Sequence, residues 1–295
     1  MSERLKAHLA LLAVAIIYGA NYVIAKNVLV DGFLSAEGFI FWRVAGGSIL
    51  FWIFHKAFVK ERIDKADYGY LAICGLLGVA INQMYFFKGL KETSAIHAAL
   101  IMVVSPILVL VIGAFSGLEK LNWQKILGIC LGAFGAVYLI LSGHDGSQQS
   151  SSLLGDVYIL INALSYAFYL VLVRKMINKY SPITVVLWVF GFGWIFVTPF
   201  SALDAWTADY GSFTPMVWWS VVYVVLFTTF MTYLLNAYAL SRVMPSTVSI
   251  YIYLQPLIAS FLAVYLQNEK IQASHLISAS FIFLGVYLAS KKAKK

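Results

Sequence analysis

The feature that most constrains this chain is a succession of apolar stretches, each about 20 residues long and closed by a short polar or basic segment. An α-helix rises 1.5 Å per residue, so such a stretch matches the hydrocarbon thickness of a bilayer. Ten can be read, at roughly 8–28, 35–56, 67–88, 95–116, 123–141, 153–174, 182–202, 216–238, 245–266 and 272–290. The alternating-polarity strands of a membrane barrel are not found. Charged residues are only 12% of the 295 and hydrophobic residues 61%. In water a chain so apolar would expose large hydrophobic patches. These proportions exclude a soluble globular enzyme, a disordered chain and a disulfide-rich secreted domain. The formal charge of +8 is expected to sit in cytoplasmic loops, so no nucleic-acid partner is inferred.

The basic residues orient the spans. With the N-terminus inside, sixteen of the twenty-one Lys and Arg fall in inside segments, including Arg4, Lys6, Lys60, Arg62, Lys179, Arg242 and the Lys291–Lys295 tail. Lys26, Lys88, Lys91 and Lys270 fall outside, and Arg43 lies within a span. This bias predicts an even number of spans with both termini cytoplasmic. The first span is too long for a signal-peptide core and no small-x-small cleavage site follows it. Cys74 and Cys130 fall within spans and are expected to be inert buried thiols.

Shifted by 150 residues, the chain matches itself. Gly89-Leu90 falls on Ala239-Leu240, Ser105-Pro106-Ile107 on Gln255-Pro256-Leu257, Glu119-Lys120 on Glu269-Lys270, and Gly135 on Gly285. At a shift of 148, Tyr18 falls on Tyr166 and Lys26 on Arg174. This divides the chain into a first repeat at 1–144, an external linker at 145–152 rich in Ser, Gly and Gln, and a second repeat at 153–295. Five spans per repeat is an odd number, so the second repeat enters the membrane from the opposite side. The expected fold class is an all-α membrane protein of ten transmembrane helices in two inverted five-helix repeats. That is the architecture of many secondary transporters.

Several short motifs recur in a fixed order along the chain. They are Ile17-Tyr-Gly-Ala-Asn-Tyr22, Phe41-Trp-Arg43, Val104-Ser-Pro106 and Gly117-Leu-Glu-Lys120. The second half carries Leu164-Ser-Tyr-Ala-Phe-Tyr169, Leu254-Gln-Pro256 and Asn268-Glu-Lys270. With the repeat, they make the chain resemble the EamA-like family of the drug/metabolite transporter superfamily. Tyr18 departs from the family, which more often has Trp there. The resemblance implies ten helices, both termini inside, and export or exchange of small metabolites, often amino acids.

Polar side chains deep in a span are expensive unless they face a cavity or a partner. They group on single helix faces: Tyr18, Asn21 and Tyr22 in span 1; Asn82, Gln83 and Phe86 in span 3; His97, Ile101 and Ser105 in span 4; Asn162, Tyr166 and Tyr169 in span 6; Thr229, Tyr233 and Asn236 in span 8; Tyr251 and Gln255 in span 9. These spans correspond under the repeat, which predicts one shared cavity; the alternative is interhelical hydrogen-bond glue. Pro106 and Pro256 stand mid-span at matching positions, where each kinks its helix and frees the carbonyl of Met102 or Ile252. Arg43 is the most deeply placed charge, with Glu37, cavity carbonyls or an anionic substrate group as candidate partners. No Asp or Glu lies mid-span; only His97, Glu37 or Asp156 could serve in a relay, and none is central. That weakens proton coupling through a side chain. Glycines in spans 3 and 5 point to close packing. Spans 5 and 10 either pack the halves together or form a homodimer face.

No Walker loop, zinc spacing or nucleophile elbow is found, so no enzyme activity, cofactor or metal is expected. The reading is a multi-pass carrier of the inner (plasma) membrane. Its partners are the bilayer and a small-molecule substrate, most simply an amino acid held in an aromatic, neutral-polar cavity. The alternatives are a lipid-directed membrane enzyme, a non-transporting scaffold, and a carrier of drugs or nucleotide-linked metabolites.

Overall fold

A helix satisfies its own backbone, so an apolar stretch in hydrocarbon folds as one. In the computed structural model, residues 3–30, 33–117, 122–142, 152–243, 248, 251–268 and 270–290 are described. Among these residues there is no strand. In chain order the helices are α1 (Glu3–Val30), α2 (Ala36–Phe58), α3 (Lys65–Glu92), α4 (Ala95–Phe115), α5 (Trp123–Ser142), α6 (Leu153–Ile177), α7 (Pro182–Thr207), α8 (Pro215–Leu240), α9 (Tyr251–Gln267) and α10 (Ala273–Ser290). Seven, α1 to α4 and α6 to α8, contain stretches long and apolar enough to cross a membrane; α9 and part of α10 are shorter apolar helices. The linker residues 143–151, Glu119, Lys120, Glu269 and the lysine tail lie outside the described residues.

Local chemistry sets the helix starts. Ser35, Ser94, Ser152 and Thr214 cap α2, α4, α6 and α8, each side-chain oxygen accepting from the backbone N–H three residues on. Pro182 and Pro215 open α7 and α8 at a position whose N–H needs no helical partner.

Four helices depart from simple rods. In α3, the turns Leu76–Ile81 are π-helical, and in α8 so are Val224–Met231. The expected span 95–116 is not one helix. It breaks after Met102, where Val103 and Val104 donate to carbonyls three residues back, and restarts at Ser105 with Pro106 in its first turn. In α9, a 3-10 turn at Tyr251–Tyr253 precedes the α-helix that contains Pro256.

The two halves pack on one another reciprocally. α1 lies against α8 and α9, and α6 lies against α3 and α4; α2 crosses α7 and α8, and α3 crosses α7. α5 and α10 form a separate close pair. Phe51 sits between Phe190 and Phe230 at ring distances of 4.8 and 5.1 Å. Large apolar side chains such as Trp52, Ile195, Phe200, Leu203, Trp219 and Phe261 cover the outside, as befits a surface solvated by lipid. Cys74 is buried, but Cys130 is exposed on α5, contrary to expectation, because the inward side of that helix is taken up by its glycines.

At the end of the bundle where the chain begins, exposed ion pairs join the helices. Glu3 accepts from Lys6 at 2.6 Å and from Arg242 at 3.1 Å. Asp64 and Asp67, close in sequence to Lys60, Arg62 and Lys65, meet Lys179 at 2.7 and 2.6 Å in a solvent-exposed cluster. The Lys179 hydrogen bond holds the Asp64 carboxyl below its ordinary range.

The α5–α10 contact is backbone against backbone. A Cβ on Gly285 would stand 2.5 Å from Gly132 N and 2.6 Å from Gly128 O. Gly285→Ala is therefore expected to destabilise the protein by roughly 1–3 kcal/mol. Gly191→Ala, at a helical position with nothing within 4 Å, should be neutral or stabilise by up to about 1 kcal/mol. Thermal denaturation of the two variants in detergent checks the difference; equal melting temperatures would contradict the packing described.

Candidate functional site

A central cavity opens where the irregular turns of α3, α4 and α8 meet α1 and α6. It is lined by Tyr18, Asn21 and Tyr22 of α1, Arg43 of α2, Asn82, Gln83 and Phe86 of α3, Met102 of α4, Asn162 and Tyr166 of α6, Tyr233 of α8, and Ile252 and Gln255 of α9. About 60 Å³ of it is open to the centres of water molecules. At roughly 10–15 Å³ per water, that is space for a few waters or a small solute. Its walls are aromatic and amide-rich, and Arg43 is the only ionised side chain among the lining residues.

The π turns shape these walls. A π turn leaves a carbonyl without its helical partner and so needs a donor from elsewhere. Ser165 on α6 donates to Leu77 O, and Tyr233 on α8 to Gly78 O at 2.9 Å. In α8, Thr228 O accepts from Thr232 at 2.5 Å and from Arg43 Nη2 at 3.4 Å, while Thr229 donates to Val224 O at 2.8 Å. These four carbonyls, in the π turns of α3 and α8, thus accept from side chains.

Further hydrogen bonds cross between the halves. Gln83 Nε2 donates to Tyr233 Oη at 3.4 Å, joining two residues 150 positions apart. Asn162 Nδ2 donates to Asn82 O at 2.6 Å, and Asn82 Nδ2 returns the bond to Asn162 O at 3.3 Å. Tyr22 Oη donates to Gln255 Oε1 at 3.3 Å. Three buried amide oxygens in the lining, Asn21 Oδ1, Gln83 Oε1 and Asn162 Oδ1, have no protein partner.

Arg43 is buried and reaches α8 rather than Glu37. Its Nε donates to Thr229 Oγ1 at 2.7 Å, and its Cζ stands 5.2 Å from the Phe87 ring centre. Glu37 is held by Lys88 at 2.9 Å.

Other residues singled out from the sequence lie elsewhere. Tyr169 packs its ring on Gly78 and, with Asn236, lines a narrower space that shares Tyr18, Tyr166 and Tyr233 with the main cavity. That space runs toward Ile177 and Leu240 at the helix ends and offers only about 10 Å³ to water centres. Ile101 and Ser105 are buried in helix packing, and Thr229 stands behind Arg43. Tyr251 meets His8 at 2.7 Å. Pro106 and Pro256 are buried near the helix restarts, outside the lining.

His97 belongs to a separate buried cluster at the opposite end of the bundle. Its Nδ1 is 3.3 Å from Asp156 Oδ2, Thr93 Oγ1 donates to Asp156 Oδ1 at 2.5 Å, and its ring meets that of His275. The cluster ties the α3–α4 turn to α6. Met102 and Ile252 were visible in the sequence only as the residues four before each proline, yet both line the cavity.

Comparison with known proteins adds a relationship along the chain. The pattern described as the EamA-like transporter family matches residues 5–141 and again 153–291. An uncharacterized transporter of Archaeoglobus fulgidus is 27% identical over 289 residues, covering 97% of this chain and 98% of the relative. The transporter YyaM of Bacillus subtilis is 24% identical, covering 98% and 94%. A WAT1-related protein of Arabidopsis thaliana is 25% identical, covering 97% and 85%. One crystal structure has the same fold, with a TM-score of 0.67 over 97% of this chain and 98% of that one at 17% identity.

The lining can be tested by thiol labelling in a background with Cys74 and Cys130 changed to Ser. Cys at Asn162 or Gln83 should react with a small methanethiosulfonate roughly tenfold faster than Cys at Ser105 or Ile101, since labelling follows access to the thiol. Equal rates at all four would contradict the cavity described.

Proposed function

Because the chain belongs to the EamA-like transporter family, we propose that it is a secondary carrier of small metabolites, amino acids foremost, working by alternating access around this cavity. The observation that carries the reading is the composition of the cavity wall. Both halves contribute to it, and Gln83 and Tyr233 meet across it from matching positions. A site at the interface of two related halves is what alternating access needs, because exchanging the halves' conformations exposes it to either side.

The topology is part of the proposal. Two inverted five-helix repeats, 1–144 and 153–295 joined by an external linker at 145–152, are supported by the doubled family match and the reciprocal packing of α1 on α8 and α9 with that of α6 on α3 and α4. The distribution of Lys and Arg supports both termini in the cytoplasm and residence in the inner or plasma membrane. The residues that bind solute are those lining the cavity. Aromatic rings hold an apolar side chain, and amides orient its polar end. No carboxylate is among the lining residues, which favours exchange or facilitated movement over a proton relay through the cavity.

Counterflow in proteoliposomes tests this. Vesicles loaded with unlabelled amino acids should take up labelled amino acids in a protein-dependent way, with a rate that is insensitive to an imposed pH gradient. Met102→Trp, which fills the cavity, should lower the rate by at least tenfold while the protein remains monodisperse. Uptake that survives this substitution would overturn the assignment of the cavity as the pathway.

A further inference from the structure

Arg43 is the element of the cavity that packing does not explain. It is a buried guanidinium, 4% exposed, in a wall otherwise neutral. A guanidinium has five N–H donors. Two are engaged by protein, one by Thr229 Oγ1 and one by Thr228 O, both neutral acceptors. Among the described residues no carboxylate lies within ion-pair distance of it, and Glu37, on the same helix, is committed to Lys88. A buried charge with only neutral partners is under-compensated. Its planar fork suits a carboxylate, which it can bind through two parallel hydrogen bonds.

The remaining polar atoms of the wall have the opposite character. Asn162 has its amide nitrogen committed to Asn82 O, and Gln83 has its own committed to Tyr233 Oη. Those bonds fix which atom of each amide is the oxygen. Asn162 Oδ1 and Gln83 Oε1, with Asn21 Oδ1, are then buried acceptors with no protein donor. Unsatisfied buried acceptors are costly and few in native structures. An ammonium group has three N–H donors and no acceptor, which matches three such oxygens.

We propose, building on the carrier reading above, that this cavity recognises the head group of a zwitterionic α-amino acid. Arg43 receives the carboxylate, and the oxygens of Asn21, Gln83 and Asn162 receive the ammonium. A simple amine is repelled by Arg43 and leaves its donors unmet. A simple carboxylate pairs with Arg43 and leaves the amide oxygens unmet. The solute's side chain lies against the rings of Tyr18, Tyr22, Phe86 and Tyr166, none of which is charged at neutral pH.

The test uses the full-length chain in proteoliposomes loaded with the common amino acids. Exchange is followed with three labelled pools: the same amino acids, their amino amides, which lack the carboxylate, and their 2-hydroxy acids, which lack the ammonium. The amino acids should exchange at least roughly tenfold faster than either analogue pool, as expected for loss of a hydrogen bond to a charged group. Arg43→Gln should shift the amide-to-amino-acid rate ratio at least tenfold toward the amides, with Arg43→Lys in between. Gln83→Met should shift the hydroxy-acid-to-amino-acid ratio toward the hydroxy acids. These ratios are measured within one vesicle preparation, so a lower yield of folded variant cancels.

Analogue pools that exchange as fast as the amino acids, or ratios unmoved by Arg43→Gln, would overturn the assignment. Should a variant not fold, the pool comparison on the unaltered chain decides alone. Exchange of sugars, nucleosides or cationic drugs without amino acids would overturn the head-group assignment and leave the carrier standing. No exchange of any solute class would overturn both.

Discussion

In hydrocarbon every backbone N–H and C=O must find a partner within the protein, and the rest of this structure depends on how that demand is met where the helices are irregular. A regular helix has no spare backbone group to offer. Carbonyls in the π turns of α3 and α8 accept from side chains: Leu77 from Ser165, Gly78 from Tyr233, Thr228 from Arg43 and Thr232, Val224 from Thr229. Those bonds link α3 to α6, α3 to α8 and α2 to α8. The irregular backbone and the donors that satisfy it therefore gather in one place, and the cavity lies among them. Polar chemistry at mid-bundle here is a consequence of broken helical regularity as much as of the side chains themselves.

The two ends of the bundle are held by different physics. At the end carrying the N-terminus, Glu3, Arg242, Asp64 and Lys179 make their ion pairs in exposed positions, where salt and solvent weaken them. At the other end, Asp156 and His97 are buried together with Thr93. Removing one partner there leaves the other's polar atom buried without its hydrogen bond, a loss of about 1–3 kcal/mol. The narrow space leading from the cavity runs toward the end with the weaker ties, past Tyr169, Asn236 and Leu240. The solidly tied end and the passage are on opposite sides of the site.

Much of this was legible in the sequence because hydropathy and burial of polar groups obey simple rules. The apolar runs located the helices to within a few residues, and the polar residues deep within them included Tyr18, Asn21, Asn82, Gln83, Asn162, Tyr233 and Gln255, all now in one wall. What stayed illegible has specific causes. His97 sits on the expected face of its helix but finds Asp156 first, and Tyr251 finds His8. Both partners are far away in sequence, so no spacing announces them. Each π turn inserts a residue and rotates the following face by about a quarter turn or more, so helical spacing counted across Val224–Met231 separates Thr229 from Tyr233 in a way the count does not reveal. For Arg43 the sequence leaves Glu37, cavity carbonyls and a substrate anion open as partners, because the turn it contacts, around Thr228, has no signature in the residues that form it.

The lone guanidinium in the cavity wall also has an electrical consequence. Arginine stays protonated in proteins, so Arg43 contributes the same positive charge whether the cavity is filled or empty. A solute with equal and opposite charges adds none. Moving one net charge through a membrane voltage is worth about 2.3 kcal/mol per 100 mV, and with the proposed zwitterionic solute the loaded and unloaded forms differ by zero charges. The voltage would then act identically on the outward and return strokes. For the zwitterionic solute proposed above, membrane voltage then favours neither direction of net flow.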